Sequence, residues 1–131
     1  MARILIADDR ESMRAALKLL FVMRPHWEIC GEATDGREAV AKASELQPDV
    51  VVLDVRMPLL DGLQAASEIC RNMPATPIVV YTLYKSAELE AAAKLAGVRR
   101  VVSKEDGGRN LLIAIEAELV AKKYQKKSKH E

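Results

Sequence analysis

Val50-Val51-Val52-Leu53-Asp54 is an unbroken apolar run of four residues closed by a carboxylate, and Pro58 stops the segment four residues later. A run apolar on both parities fits a strand buried on both faces of a parallel sheet. Asp54 then stands at the carboxyl end of that strand. In open α/β sheets this edge is where ligands bind, close to the point where the strand order reverses.

The flanking sequence repeats the pattern. Residues 3–8, Arg-Ile-Leu-Ile-Ala-Asp, read as a buried first strand that ends in acid, Asp8 and then Asp9. Met13, Leu17, Leu20 and Phe21 recur at helical spacing between Arg10 and Arg24, and Pro25 closes that helix. Trp27 to Thr34 is a second strand, alternating enough to lie near a sheet edge. Asp35 and Glu38 resemble a capping box for a second helix that runs to about Leu46. After the Asp54 strand, Asp61 and Gln64 offer another such box, for a helix to about Asn72.

Ile78 to Tyr81 reads as a fourth buried strand delivering Thr82 to the edge. Ser86 caps a fourth helix, with Glu88 and Glu90 suited to its positive first turn and Gly97 to its end. Its expected inward stripe is Leu89, Ala92, Ala93 and Ala96. Alanine buries little area, so this helix should be held less firmly than the others. Arg100 to Ser103 is a short fifth strand delivering Lys104, and Gly107-Gly108 precede a fifth helix carrying Leu111, Leu112, Ile115 and Leu119. Strict alternation of strands and helices implies an α/β fold, a five-stranded parallel sheet with helices on both faces.

The chain has 131 residues, enough for one domain, and half of them are hydrophobic, which excludes disorder. A net charge of +1 gives no global argument for nucleic acid. No apolar run approaches the roughly 20 residues of a membrane span, and Met-Ala-Arg leads straight into a strand, so no signal peptide and a cytoplasmic location are expected. Cys30 and Cys70 are read as free thiols serving as small buried hydrophobes. His26, His130 and Trp27 lie away from the acidic edge. From Lys122 the chain becomes lysine-rich, with five lysines by Lys129; a solvated end of the fifth helix is expected there.

Four of the five strands thus end in groups capable of chemistry: Asp8 with Asp9, Asp54, Thr82 and Lys104. Parallel strands point these ends the same way. Three carboxylates gathered together repel one another unless a cation lies among them, and all-oxygen ligation suits Mg²⁺. A divalent cation, an ammonium and a hydroxyl around one carboxylate make an electrostatic clamp for a phosphoryl group, and the central carboxylate can be its nucleophile.

These residues, with Met57-Pro58, Asp61-Gly62, Ser103-Lys104 and the segments 35–39 and 48–54, resemble the receiver domain of bacterial two-component response regulators, from Arg3 to about Lys122. The resemblance implies a flavodoxin-like, doubly wound (βα)5 fold with strand order 2-1-3-4-5. It implies a receiver of residues 1–122, followed by a lysine-rich tail or start of a linker at 123–131. Asp54 would accept a phosphoryl group from the phosphohistidine of a sensor histidine kinase or phosphotransfer protein. Asp9, Asp54 and the backbone carbonyl of Arg56 would hold Mg²⁺, with Asp8 acting through a water. Lys104 and Thr82 would bind the phosphoryl oxygens. The face made by the fourth helix, fifth strand and fifth helix would change on phosphorylation and could form a homodimer. Transcription is the expected output, with DNA reached only through a separate domain that these residues do not contain, and no membrane partner is expected.

The chain departs from that family at Val101, three residues before Lys104, where an aromatic usually swings inward. A weaker or differently transmitted change is expected. Arg56 and Tyr84 occupy positions that tune phosphoryl lifetime in the family, and with the bulky Leu83 they suggest slow self-dephosphorylation. Other functions are weaker. Phosphohydrolases with aspartyl-phosphate intermediates usually carry an acid two residues after the nucleophile, where this chain has Arg56. No glycine-rich phosphate loop follows the first strand. A receiver-like interaction module that is never phosphorylated is the alternative. The expected protein is no enzyme beyond its own phosphorylation and dephosphorylation.

Overall fold

In the computed structural model, which describes residues 1–128 and side-chain surroundings to 124, the five apolar runs form one parallel sheet. The strands are β1 (Ala2–Ala7), β2 (Trp27–Ala33), β3 (Val50–Leu53), β4 (Ile78–Thr82) and β5 (Arg100–Ser103). Their order is β2-β1-β3-β4-β5. The chain order reverses beside β1, where β1 and β3 lie side by side, and Asp54 follows β3 there. Helices α1 (Glu11–Phe21), α2 (Gly36–Leu46), α3 (Gly62–Asn72), α4 (Ala87–Leu95) and α5 (Gly108–Ser128) connect and follow them.

Two cores result from the period-2 alternation of the strands. Leu5, Ala7, Val51, Leu53, Ile78 and Val80 pack on the α2, α3 and α4 side. Ile4, Ile6, Val50, Val52, Val79, Tyr81 and Val102 pack on the other side against Leu17 and Phe21 of α1 and Leu111 and Ile115 of α5. All of β3 is buried, which is why its sequence shows no alternation. β2 lies at the expected edge and is mostly half-buried.

The caps follow the sequence with one shift. Asp61 accepts from the Gln64 amide at 2.9 Å while the Gln64 side chain accepts from the Asp61 amide at 3.3 Å, a complete box. Asp35 accepts from the Glu38 amide at 2.8 Å, but Glu38 reaches past the cap to the Thr34 amide at 3.1 Å. A one-turn 3₁₀ segment, Lys104–Asp106, stands between β5 and α5; its only sequence signal is Ser103, whose side chain accepts from the Glu105 amide at 3.1 Å.

α4 is held even less than its alanines suggest. Only Ala93 is buried, Leu89 and Ala96 are half-buried, and Ala92 faces solvent. The helix is rolled toward Ala93, so the far edge of the expected stripe is outside. Cys30 and Cys70 are free but half-buried rather than fully buried; burial pushes the Cys30 thiol up from its ordinary pKa, Arg3 opposing. Trp27 packs edge-to-face on Phe21 at 5.5 Å, away from the acidic edge, and His26 is exposed. Lys122 ion-pairs with Asp49 at 3.7 Å, so the first lysine of the basic run is anchored to the segment before β3. Lys129 and His130 lie outside the described residues.

Candidate functional site

Strand register builds the acidic edge. Ile6 pairs with Val52 and Ala7 with Leu53. The ladder runs one residue further: the Asp8 amide donates to the Ala33 carbonyl at 3.0 Å and the Asp54 amide to the Ala7 carbonyl at 3.1 Å. Asp8 continues the parity of Ile4 and Ile6, and Asp54 that of Val50 and Val52. Both carboxylates therefore turn to the α1–α5 side. Lys104, two residues beyond Val102, comes to the same side.

Lys104 Nζ donates to Asp8 Oδ2 at 2.7 Å and to Asp54 Oδ2 at 2.8 Å. The three side chains are almost fully enclosed, at 2%, 3% and 7% exposure for Lys104, Asp8 and Asp54. Each carboxylate has a second fixed partner. Asp54 Oδ1 accepts from the Val55 amide at 2.7 Å, and Asp8 Oδ1 from the Arg10 amide at 2.9 Å. One ammonium thus lies between two buried acids, and the triad carries one negative charge it does not compensate. Such a group invites a further cation.

Asp9 has the opposite parity and is exposed. It lines an open cavity of about 650 Å³ together with Val55, Arg56, Pro58 and Asp61. Lys104 is the cation between Asp8 and Asp54, while Asp9 is exposed and belongs to the open cavity. Among the described residues no three metal-ligating side chains stand ready-assembled. The donor chemistry nevertheless fits Mg²⁺, which needs only one or two carboxylates and keeps its waters. Asp9 and Asp54 would supply carboxylates, the Arg56 carbonyl a neutral oxygen, and Asp8 a further acid.

Thr82 reaches the edge fully buried, but its hydroxyl oxygen accepts from the Tyr84 amide at 3.2 Å and makes no hydrogen bond with Asp54 or Lys104. Val101 is half-buried and packs on the α2–α4 side. It borders a cavity of about 870 Å³ between α4, β5 and α5, shared with Ala93, Val98 and Ala114.

Three features of the edge escape the sequence reading. A Cβ on Gly62 would fall 2.0 Å from the Asp54 carbonyl oxygen, so the loop after β3 can close on Asp54 only with glycine there. The loop itself makes a tight turn: the Leu60 amide donates to the Pro58 carbonyl at 2.8 Å across Leu59, whose φ is 67° and whose side chain is 80% exposed. Asp61-Gly62 and Met57-Pro58 were visible as motif, but not this geometry. Finally, the Arg56 guanidinium stacks on the Tyr84 ring at 3.8 Å, joining the loops after β3 and β4 across the mouth of the site. No sequence spacing signals a contact between residues so far apart.

Comparison with known proteins agrees with this geometry. The model of the response regulator receiver domain family matches residues 4–116. Chemotaxis protein CheY of Thermotoga maritima is 38% identical over 102 residues, covering 78% of this chain and 84% of that protein. Transcriptional regulatory protein LnrK of Bacillus subtilis is 30% identical, covering 88% of this chain and 52% of LnrK. Protein-glutamate methylesterase/protein-glutamine glutaminase 1 of Methanosarcina acetivorans is 42% identical over 71% of this chain and 27% of that protein. The chain thus spans about a quarter to a half of the longer relatives. Among solved structures, a LuxR-family two-component response regulator from Aurantimonas superposes with a TM-score of 0.88 at 31% identity, covering 92% of this chain and 86% of the other. The CheX–CheY–BeF3–Mg²⁺ complex of Borrelia burgdorferi gives 0.74 at 25% identity, covering 78% and 77%.

Proposed function

The chain belongs to the response regulator receiver domain family, and from that premise we propose that it is a phosphorylation switch in which Asp54 is the acceptor. Receiver domains are signalling modules of two-component systems. The observation that carries the assignment to Asp54 is the double hydrogen bond of Lys104 to Asp8 and Asp54. It puts the ammonium where a phosphoryl group on Asp54 would need it.

A carboxylate oxygen of Asp54 attacks the phosphorus of a phosphohistidine, the P–N bond breaks, and the imidazole leaves with its electron pair. Lys104 moves from the carboxylate oxygen to a phosphoryl oxygen while Asp8 keeps hold of it. The buried Thr82 hydroxyl supplies a second hydrogen bond once its side chain turns toward Asp54. The donor is a sensor histidine kinase or phosphotransfer protein. Asp9, Asp54 and the Arg56 carbonyl would hold Mg²⁺, with Asp8 as a further acid beside it, and the ion would supply charge neutralisation at the transferring group. Gly62 and the Val55 amide fix the direction in which Asp54 points.

The response leaves through α4, β5 and α5, since little burial opposes a shift of α4. Control of transcription is the output this reading favours, through a separate DNA-binding domain and not through these residues. Dimerisation through that same face remains the expectation carried by resemblance. The receiver occupies residues 1–122, and 123–131 are its tail or the start of a linker; α5 runs unbroken across that boundary to Ser128. The protein acts in the cytoplasm and turns over nothing but its own phosphoryl group. Among the described residues, no helix is long and apolar enough to cross a membrane.

Intact mass after incubation with acetyl phosphate and Mg²⁺ tests this. One added phosphate, lost in Asp54→Asn and with a chelator, is expected. If neither acetyl phosphate nor a phosphohistidine donor adds phosphate, the chain is a receiver-like interaction module.

A further inference from the structure

A cavity of about 630 Å³ lies at the end of the sheet opposite Asp54. Its floor is where strands begin: Ala2 opens β1, Trp27 opens β2 and Asp49 precedes β3. Ala2 pairs with Trp27 in the sheet register, and the Ala2 amide donates to the His26 carbonyl at 2.8 Å. The wall is one face of α5, where Glu116, Leu119, Val120 and Lys123 follow at helical spacing. Trp27 and Leu119 are half-buried and Val120 is 62% exposed, so apolar surface is left open to the cavity. Volumes of roughly 300–1,000 Å³ are those of small-molecule sites.

The lining has charge to spare. Both of its acids are already held: Asp49 accepts from the Arg3 amide at 2.8 Å and pairs with Lys122 at 3.7 Å, and Glu116 pairs with Arg24 of α1. Lys123 is exposed and pairs with no acid among the described residues, and exposed His26 adds an imidazole. The cavity therefore offers one ammonium and an imidazole beside apolar surface that includes an indole ring.

We propose that this cavity is a binding site for a small aryl carboxylate. Its aromatic body packs on Trp27, Leu119 and Val120, where ring contact adds to the buried area. Its carboxylate is taken by Lys123, with the His26 imidazole as a second donor. Charge complementarity selects the sign, since a cation would find both acids occupied. The bound molecule would join the far half of α5 to the first residues of β1 and β2. No residue of the acidic edge lines the cavity, so the site stands whether or not Asp54 takes a phosphoryl group.

Trp27 is the single tryptophan of the chain, so its fluorescence reports on the site. Phenylbutyrate does not absorb where indole is excited at long wavelength. Titrating the full chain with it should change that fluorescence saturably, with a Kd of about a millimolar or below. Phenylbutylammonium, of similar shape and opposite charge, should bind at least tenfold more weakly, and octanoate, which has no ring, at least threefold. Lys123→Glu should weaken phenylbutyrate at least fivefold, and Lys94→Glu on α4 should leave it unchanged. No saturable change up to about 10 mM overturns the proposal. So does equal binding of the ammonium compound or of octanoate, a Lys123→Glu variant that binds as the wild type does, or a loss in Lys94→Glu as large as in Lys123→Glu.

Discussion

Arg56 lays its guanidinium on the ring of Tyr84, 3.8 Å from the ring centre, and so ties the loop that follows Asp54 to the loop that follows Thr82. The Tyr84 amide in turn donates to the Thr82 hydroxyl. A water approaching Asp54 from the side of these two loops meets this closure. Half-exposed cation–π contacts are worth about 0.5–1 kcal/mol. Replacing Arg56 by Met, or Leu83-Tyr84 by Ala-Glu, should therefore speed self-dephosphorylation by roughly two- to fivefold. The check is the decay of phosphorylated mass after acetyl phosphate is removed. Unchanged decay in both variants would show that neither residue guards the site.

The acidic edge also sets stability. Removing Lys104 leaves Asp8 and Asp54 buried side by side with no cation between them. Breaking a buried pair in this way typically costs about 3–5 kcal/mol. Lys104→Met should lower the thermal midpoint by roughly 10–25 °C. Because both carboxylates are then free for a metal, added Mg²⁺ should raise the midpoint of the variant more than that of the wild type. Calorimetry with and without Mg²⁺ decides this; an equal Mg²⁺ response would mean that Lys104 does not compete with the metal.

Much of this was legible because parallel strands write their burial into the sequence. The run 50–53 is apolar on both parities since both its faces are covered, and Asp54 stands out as the first residue beyond it. Asp8 and Asp54 come together because β1 and β3 end in register, and Lys104, two rows further along β5, reaches back to both with its long side chain; alternation of elements implied only that these strand ends point the same way. Asp9 shows the limit. As a neighbour of Asp8 it has the opposite parity, and it lies in solvent while Asp8 is buried. Ala92 shows another, since four apolar positions within one α4 stripe do not say how the helix is rolled. The Arg56–Tyr84 stack and the Gly62 contact depend on how two loops close, and local sequence carries no period for that.

With Val101 in place of an aromatic, a weaker or differently transmitted signal is expected. Valine has no ring to carry a Thr82 movement into the 870 Å³ cavity between α4, β5 and α5. Amide shifts over residues 84–104 on phosphorylation should be modest, and Val101→Tyr should enlarge them by filling that space. The measurement is a pair of nitrogen–proton correlation spectra for each protein, with and without acetyl phosphate. Wild-type shifts as large as those of the tyrosine variant would show that another route carries the change.

Acid should loosen the α1–β2 side through Glu32. Its carboxylate accepts from Lys18 at 2.6 Å and from Arg14 at 3.1 Å, and Arg14 also donates to the Asp8 carbonyl at 2.8 Å. The Lys18 hydrogen bond is the main reason its pKa falls below the ordinary carboxylate value; burial opposes, and Arg14 adds to the lowering. Folded Glu32 therefore takes up a proton less readily than unfolded Glu32. The resulting stability is present above the unfolded value, near about 4.3, and is lost as pH falls through the lower folded value. Both partners are partly exposed, so the contribution is about 0.5–1 kcal/mol. Glu32→Gln should cost that much at pH 7. The gap between wild type and variant should close as pH is taken down toward about 3. Urea midpoints measured along that range decide it: a gap that stays constant would mean that glutamine loses packing there and not an ion pair.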